Sequence, residues 1–206
     1  LSSSSLEIDP KINIEPIILP KKTIFQLIFL LEQSSGIIKI SNNKSKIKFE
    51  INGGVLISKV IDGRFPDYSK VIPKNNDKIL QIKLDEFRNS IERVATVSSD
   101  RTKGLKMTIS KDGVQLSVNN PNSGEGIENI NAKFNSNDLN ISFNSRYLTD
   151  IASQIENEFI VINLKDASSP VLINDFSDKN SFYVVMPMKI WFILHKDDIR
   201  LLLFFS

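Results

Sequence analysis

The sequence predicts an α+β fold assembled from β-α-β-β-β units, with helices on one face of antiparallel sheets. Three observations carry this. Apolar residues recur at helical spacing in three stretches that begin about sixty residues apart. Each stretch is preceded by one short strand pattern and followed by three. Turn-forming residues separate those strands at hairpin distances.

The helices come first because their periodicity is strongest. After Pro20, Ile24, Leu27, Ile28 and Leu31 fall at i, i+3, i+4 and i+7. In the second stretch Leu84, Phe87, Ile91, Val94 and Ala95 form one stripe. The third follows Asn144, a residue suited to an N-cap, and runs through Tyr147, Leu148, Ile151, Ala152 and Ile155. The strands expected before them are Pro16–Leu19, Ile79–Lys83 and Leu139–Phe143. After the first helix come Ile37–Ile40, Lys46–Ile51 and Val55–Ile61. Leu105–Ile109, Val114–Val118 and Ile127–Phe134 follow the second, and Phe159–Leu164, Val171–Ile173 and Phe182–Met186 the third. Alternation is clean in Lys46–Ile51, where a period of two puts Ile47, Phe49 and Ile51 on one face. Asn42-Asn43, Asn52-Gly53-Gly54 and Asp112-Gly113 supply residues that tolerate positive φ in tight turns.

Three units is an odd number. Units two and three are consecutive and can pair their sheets beneath two helices, whereas unit one has no unit before it. Residues 62–78, with Gly63, Pro66, Pro73 and the polar run Lys74–Lys78, read as a linker. The expected division is 1–73, 74–190 and an atypical hydrophobic tail over 191–206.

Composition narrows the chemistry. The chain has 206 residues, 41% of them hydrophobic and 24% charged, and a net charge of +2, enough for one or two domains and neutral on the question of a nucleic-acid partner. It has no cysteine, so neither disulfides nor thiol metal sites are available. Leu1–Leu6 is serine-rich without the basic and apolar regions of a signal peptide. Ile24–Leu31 is too short to span a bilayer, and charges at His195–Asp198 and Arg200 interrupt the terminal run. A cytoplasmic protein away from membranes is expected. No phosphate-binding or dinucleotide glycine pattern is present. The one histidine, His195, lies in the tail, which leaves neither a histidine-based triad nor a histidine metal site. Asp62 and Asp67 flank a turn and Asp175, Asp178 and Asn180 gather in a loop, but neither group follows the calcium-loop spacing. No catalytic residue, cofactor or metal is expected, and a hydrolase using those scattered carboxylates is the enzymatic alternative.

Two stretches are far more specific than such patterns. Residues 58–73, Ser-Lys-Val-Ile-Asp-Gly-Arg-Phe-Pro-Asp-Tyr-Ser-Lys-Val-Ile-Pro, resemble the segment that closes the middle domain of bacterial DNA sliding clamps, the beta subunits of DNA polymerase III. Residues 183–190, Tyr-Val-Val-Met-Pro-Met-Lys-Ile, resemble the segment with which those clamps end. Phe143–Leu148 is similar to the helix entry of the clamp's third domain. The resemblance covers about residues 7–190 and implies the DNA-clamp fold: half of the middle domain and the whole third domain.

That resemblance implies a non-catalytic processivity factor that encircles double-stranded DNA without sequence readout, in the family a head-to-tail homodimer. Inner-surface cations would meet phosphates loosely. The candidates here are Lys21, Lys22, Arg88, Arg101, Lys103 and Arg146. It also implies capture of the polymerase alpha subunit, the clamp loader and repair polymerases through a short Q-L-x-L-F peptide. By matched position the pocket would be Pro66, Lys70, Val71, Asn144, Tyr147, Pro170, Val184, Val185, Met186, Pro187 and Met188. The family's Gly-His-Arg-Leu side of that pocket would precede Leu1, so weakened peptide affinity is expected. Ring closure would use the edge of domain three around Thr96, Val97, Leu105 and Met107. Without domain one, this chain alone should not form the usual ring. The competing reading is a clamp remnant or one half of a split gene, acting at most as a peptide-binding module. Leu201–Phe204 in the tail fits the L-x-L-F half of the peptide motif, and the plainer reading of residues 191–206 is a stretch without selected function.

Overall fold

The structure, a computed structural model, describes residues 1–6, 16–43, 45–64, 67–98, 103–178 and 180–188. They fall into two compact units, one of residues 1–6 with 68–206, the other of residues 7–67. Arg101, Pro66, Lys189, Ile190 and the tail, with its Leu201–Phe204 motif, lie outside the described residues.

In chain order the elements are β1 (Ser2–Ser4), α1 (Lys21–Glu32), β2 (Ile38–Asn42), β3 (Lys46–Ile51) and β4 (Gly54–Lys59). Then come β5 (Lys78–Lys83), α2 (Leu84–Ala95), β6 (Gly104–Ser110), β7 (Gly113–Asn120), β8 (Gly124–Ile130) and β9 (Ala132–Phe134). The last are β10 (Leu139–Asn144), α3 (Ser145–Ala152), β11 (Phe159–Leu164), β12 (Val171–Asp175) and β13 (Ser181–Val185).

The larger unit has a six-stranded sheet, β1-β13-β12-β11-β5-β9, and a four-stranded sheet, β10-β6-β7-β8. Its two β-α-β-β-β units do not build a sheet each. They exchange first strands: β5 pairs with β11 of the later unit, Lys83 opposite Phe159, and β10 pairs with β6 of the earlier one, Asn144 opposite Gly104. The first residue of each helix repeats the exchange. The Leu84 amide donates to the Glu158 carbonyl at 2.8 Å, and the Ser145 amide donates to the Lys103 carbonyl at 2.8 Å. Each helix therefore starts beside the segment that follows the other, so α2 and α3 run in opposite directions. One continuous core results, in which Leu80, Phe87, Ile91, Leu105, Met107, Leu116, Phe143 and Ile160 are fully buried.

Local chemistry explains the helix boundaries. The Asn144 side chain accepts from the Arg146 amide at 3.0 Å, capping α3 as its sequence suggests. Helix α2 has no side-chain cap but places Asp85 and Glu86 in its first turn and Arg93 in its last, charges that suit the helix dipole. Its buried face is Leu84, Phe87, Ser90, Ile91 and Val94. The stretch expected to be one strand over 127–134 is two. β8 ends at Ile130 and β9 begins at Ala132, so the chain changes sheets at Asn131.

The smaller unit holds α1 and the three-stranded sheet β2-β3-β4. Ile47, Phe49 and Ile51 share the buried face of β3, as alternation requires, with Ile17, Leu19, Leu27 and Leu30 packed against them. Here the expected helix stripe is rotated. Thr23, Leu27 and Leu30 face the sheet, while Ile24, Ile28 and Leu31 are 39%, 46% and 42% exposed. A helix apolar on most sides gives no unique stripe, and the sheet, not the periodicity, selects the side. The expected strand 16–19 makes a single antiparallel bridge, Ile18 to Ile61. Pro16 and Pro20 have no amide to offer a ladder, which holds the segment to one bridge.

Candidate functional site

In the larger unit β13 runs past the exposed side of α3, and an open cavity of about 530 Å³ lies between them. Tyr147, Asp150, Ile151 and Gln154 line one side; these lie at helical spacing from Tyr147 onward. Tyr183, Val184, Val185 and Met186 line the other. Leu1 and Ser2 border it too, because β1 pairs with β13, Ser2 opposite Tyr183, and the Val184 amide donates to the Leu1 carbonyl at 2.7 Å.

The side chains divide the labour. Val184 and Val185 are buried at 5% exposure, whereas Tyr147 and Met186 stand 57% and 58% exposed at the mouth. Two large apolar groups held open to solvent over a buried valine floor suit capture of another apolar side chain. Burial, with Asp178 and Asp175 nearby, pushes the Tyr183 hydroxyl up from its ordinary range, so it stays a neutral hydrogen-bonding tip.

Of the expected pocket residues, Tyr147, Val184, Val185 and Met186 meet in this cavity. Asn144 caps α3. The Pro170 carbonyl accepts from the Asn76 side chain at 3.0 Å. Pro187 and Met188 are half-buried beyond β13, and the Met188 amide donates to Ser142 at 2.7 Å. Lys70 and Val71 are exposed at and after the short 3₁₀ turn Tyr68–Lys70 and are not among the cavity's lining. Asp150, Ile151 and Gln154 were legible as the same helix face as Tyr147. No local signal identified Leu1 and Ser2, which reach the site through a pairing across the whole chain.

The expected cations separate into different roles. Lys21 and Lys22 are exposed in the first turn of α1, with the Lys21 ammonium 5.4 Å from the centre of the Phe25 ring. Arg146 is exposed in the first turn of α3, beside half-buried Lys103. Arg88 is instead drawn into the fold. Its Nη2 donates to the Ala152 carbonyl at 2.7 Å and to Ile155 at 3.4 Å, tying α2 to the end of α3. Arg88, half-buried, is thus a tie within the fold. The i, i+3 and i+7 spacing of Asp85, Arg88 and Glu92 says nothing of a carbonyl sixty-four residues away.

The expected ring-closing edge also needs correction. Leu105 and Met107 have no exposure, and β6 is flanked by β10 and β7. The open edge of that sheet is β8, where Val97 packs against Gly126 and exposed Thr96 lies close in sequence. Alternating apolar residues mark Leu105 and Met107 as a strand face but cannot say whether the strand is central or terminal. Arg93 and Glu128 pair at 2.8 Å and bind α2 to β8, an interaction that lowers the Glu128 carboxyl.

Asp175 has a structural position. Burial raises its carboxyl, but donation from the Asn157 side chain at 2.8 Å and from the Ser177 and Asn157 amides outweighs this and leaves it lowered. Among the described residues no group of three or more His, Cys, Asp or Glu is placed to hold a metal, and no helix is long and apolar enough to cross a membrane.

Comparison with known proteins agrees with this layout. Residues 69–189 match the family described as DNA polymerase III beta subunit, C-terminal domain, and residues 1–67 match the central domain of the same subunit. The beta sliding clamp of Caulobacter vibrioides is 34% identical over 179 residues, 87% of this chain and 48% of that protein. The Escherichia coli K12 clamp is 28% identical over 190 residues, 92% of this chain and 52% of that protein. A Bartonella birtlesii sliding clamp solved with griselimycin bound superposes with a TM-score of 0.82 at 39% identity, covering 84% of this chain and 47% of that one. The Caulobacter crescentus clamp gives 0.86 at 33%, covering 92% and 50%. The chain spans about half the length of the curated relatives it matches. It belongs to the DNA polymerase III beta subunit family, the sliding clamps, and comprises the family's C-terminal domain joined to part of the central one.

Proposed function

We propose that this chain is the C-terminal part of a DNA polymerase processivity clamp and that its α3–β13 cavity receives the short apolar peptide of polymerase and clamp-loader partners. The cavity carries the reading: Tyr147 and Met186 stand open above buried Val184 and Val185, and these last three residues lie inside the segment that resembles the family's end. That the Bartonella relative was solved with griselimycin bound adds support. In this reading the chain catalyses nothing. It contributes to a ring around duplex DNA, whose phosphates would be contacted by exposed Lys21, Lys22 and Arg146 at helix N-termini and by half-buried Lys103 beside Arg146. The sheet edge for ring closure would be β8 with Thr96 and Val97.

The test is binding of a fluorescent Gln-Leu-Ser-Leu-Phe peptide, followed by anisotropy. Saturable binding is expected, weakened at least tenfold, about 1.4 kcal/mol, by Met186→Asp. Since Met186 is exposed, the circular dichroism of that variant should match the parent. Equal affinity of parent and variant would refute the assignment.

A further inference from the structure

α3 has eight residues, two turns, and a helix that short keeps its shape in water only with help from its surroundings. Its second turn carries Ile151, and Gln154 lies two residues past its end; both line the cavity. The last four carbonyls of any helix lack partners within it and need them elsewhere. In α3 three are met by the residues just beyond. The Ser153 and Gln154 amides donate to the Thr149 and Ile151 carbonyls, both at 3.0 Å, and the Ser153 hydroxyl donates to Asp150 at 2.7 Å. The fourth belongs to Ala152, which has no exposure, and its bond comes from another helix, from Arg88 Nη2 on α2 at 2.7 Å.

The same nitrogen lies 3.4 Å from the Ile155 carbonyl. Ala152 and Ile155 bracket Ser153 and Gln154, so one guanidinium gathers both ends of the turn that leaves the helix. α2 is a firm base for this tie, since Phe87 next to Arg88 and Ile91 one turn on are fully buried. The chain is held again at Asn157, whose side chain donates to Asp175 at the end of β12 at 2.8 Å. Of the two ties, Arg88 is the one that closes on Gln154's own turn. Its Nε is buried without a partner. A buried donor left unpaired costs free energy, so stability alone is an incomplete account of an arginine here.

We propose that Arg88 is a positioning residue for the cavity: by holding the end of α3 it sets where Ile151 and Gln154 stand against Val184 and Val185 of β13. The proposal rests on the reading of this cavity as the receptor of an apolar peptide. Arg88 is not itself among the lining residues, so its effect passes through the α3 backbone. A turn that frays part of the time presents the wrong edge for that time, and apparent affinity falls by the competent fraction. Binding weakened about fivefold corresponds to an α3 end formed about one-fifth of the time.

The fluorescent Gln-Leu-Ser-Leu-Phe peptide reads the affinity, and amide hydrogen exchange at Ser153 and Gln154 reads the turn. Arg88→Ala should bind about fivefold more weakly and exchange those two amides at least about tenfold faster. Arg88→Lys should fall between, since an ammonium keeps the charge without the planar fork. Ile109→Ala, or Ile109→Val should the alanine chain not fold, is the control for stability. Ile109 is fully buried on β6 opposite Leu139, at the other end of that strand from Gly104 and Asn144. Its variant should lose stability yet match the parent in peptide affinity and in exchange at Ser153 and Gln154. Equal affinity of the parent and Arg88→Ala overturns the proposal, and so does a loss of affinity that Ile109→Ala shares. A parent that binds no peptide sinks the reading of the cavity instead. Exchange then decides the positioning by itself: faster Ser153 and Gln154 amides in Arg88→Ala alone uphold it, and unchanged or commonly raised rates overturn it.

Discussion

Replacing Arg88 by alanine separates a DNA contact from a structural tie. The guanidinium makes one good bond, 2.7 Å to the Ala152 carbonyl, and one marginal bond, 3.4 Å to Ile155, while its Nε is buried without a partner. A charge-assisted hydrogen bond is worth about 1.5–3 kcal/mol, and a cation beside a helix C-terminus adds about 0.3–1 kcal/mol. The unpaired Nε offsets part of that, because a buried donor without an acceptor costs free energy that the alanine variant recovers. A net loss of about 2 kcal/mol follows, or roughly 4–8 °C in Tm for a chain of this size. Urea unfolding followed by circular dichroism measures it, with the slope m checked for constancy so that the midpoint shift reads as stability. Arg88→Lys should recover only part, since an ammonium keeps the charge but lacks the planar fork that reaches two carbonyls. A loss below about 0.5 kcal/mol, the scale of ordinary surface changes, would refute the structural role. Unchanged stability with weakened duplex binding would return Arg88 to the DNA-facing set.

Leu105→Ala should cost about 2–5 kcal/mol at any protein concentration, because Leu105 is wholly buried between α2 and the sheets rather than at an oligomer edge; a thermal midpoint shift that depends on protein concentration would contradict this. The lowered Asp175 carboxyl contributes stability that is present above the ordinary carboxylate pKa of about 4 and is lost as pH falls through its folded value. Acid titration of the parent and of Asp175→Asn should therefore show the variant with the shallower loss of stability below about pH 4, and parallel curves would remove the assignment. Lys21→Ala with Lys22→Ala should weaken duplex binding equally for unrelated sequences and reduce the slope of log K against log salt by about 1–2; a sequence-dependent loss would point to base contacts instead.

How far the fold could be read from the residues depended on distance along the chain. Helices α2 and α3 were placed by their own apolar stripes, and the cap at Asn144 by its residue type. β3 and β7 were visible in strict alternation. The face of α1 was not, because Ile24, Phe25, Ile28, Phe29 and Leu31 offer several stripes and only the sheet beneath Leu27 and Leu30 chooses among them. The break at Asn131 was hidden for a related reason: Ile127–Phe134 reads as one extended stretch, and a change of sheet needs no change of local composition. Four cavity residues were found through the resemblance of residues 183–190 and the helix entry at Asn144, and their helical neighbours Asp150, Ile151 and Gln154 follow from spacing. Leu1 and Ser2 carry no motif.

The three-unit plan, the helix and strand types and the family were thus decided by the sequence alone, since each rests on periodicity or on contiguous motifs. Which strand pairs with which was decided by tertiary structure. β5 pairs with β11 and β10 with β6 because one hydrophobic core can be closed between two units only if each lends its first strand to the other. The same closure made β6 central rather than an edge, buried Leu105 and Met107, and turned Arg88 inward to the end of α3. None of these pairings is visible locally, since backbone hydrogen bonds in a sheet are satisfied across elements that the local sequence cannot choose.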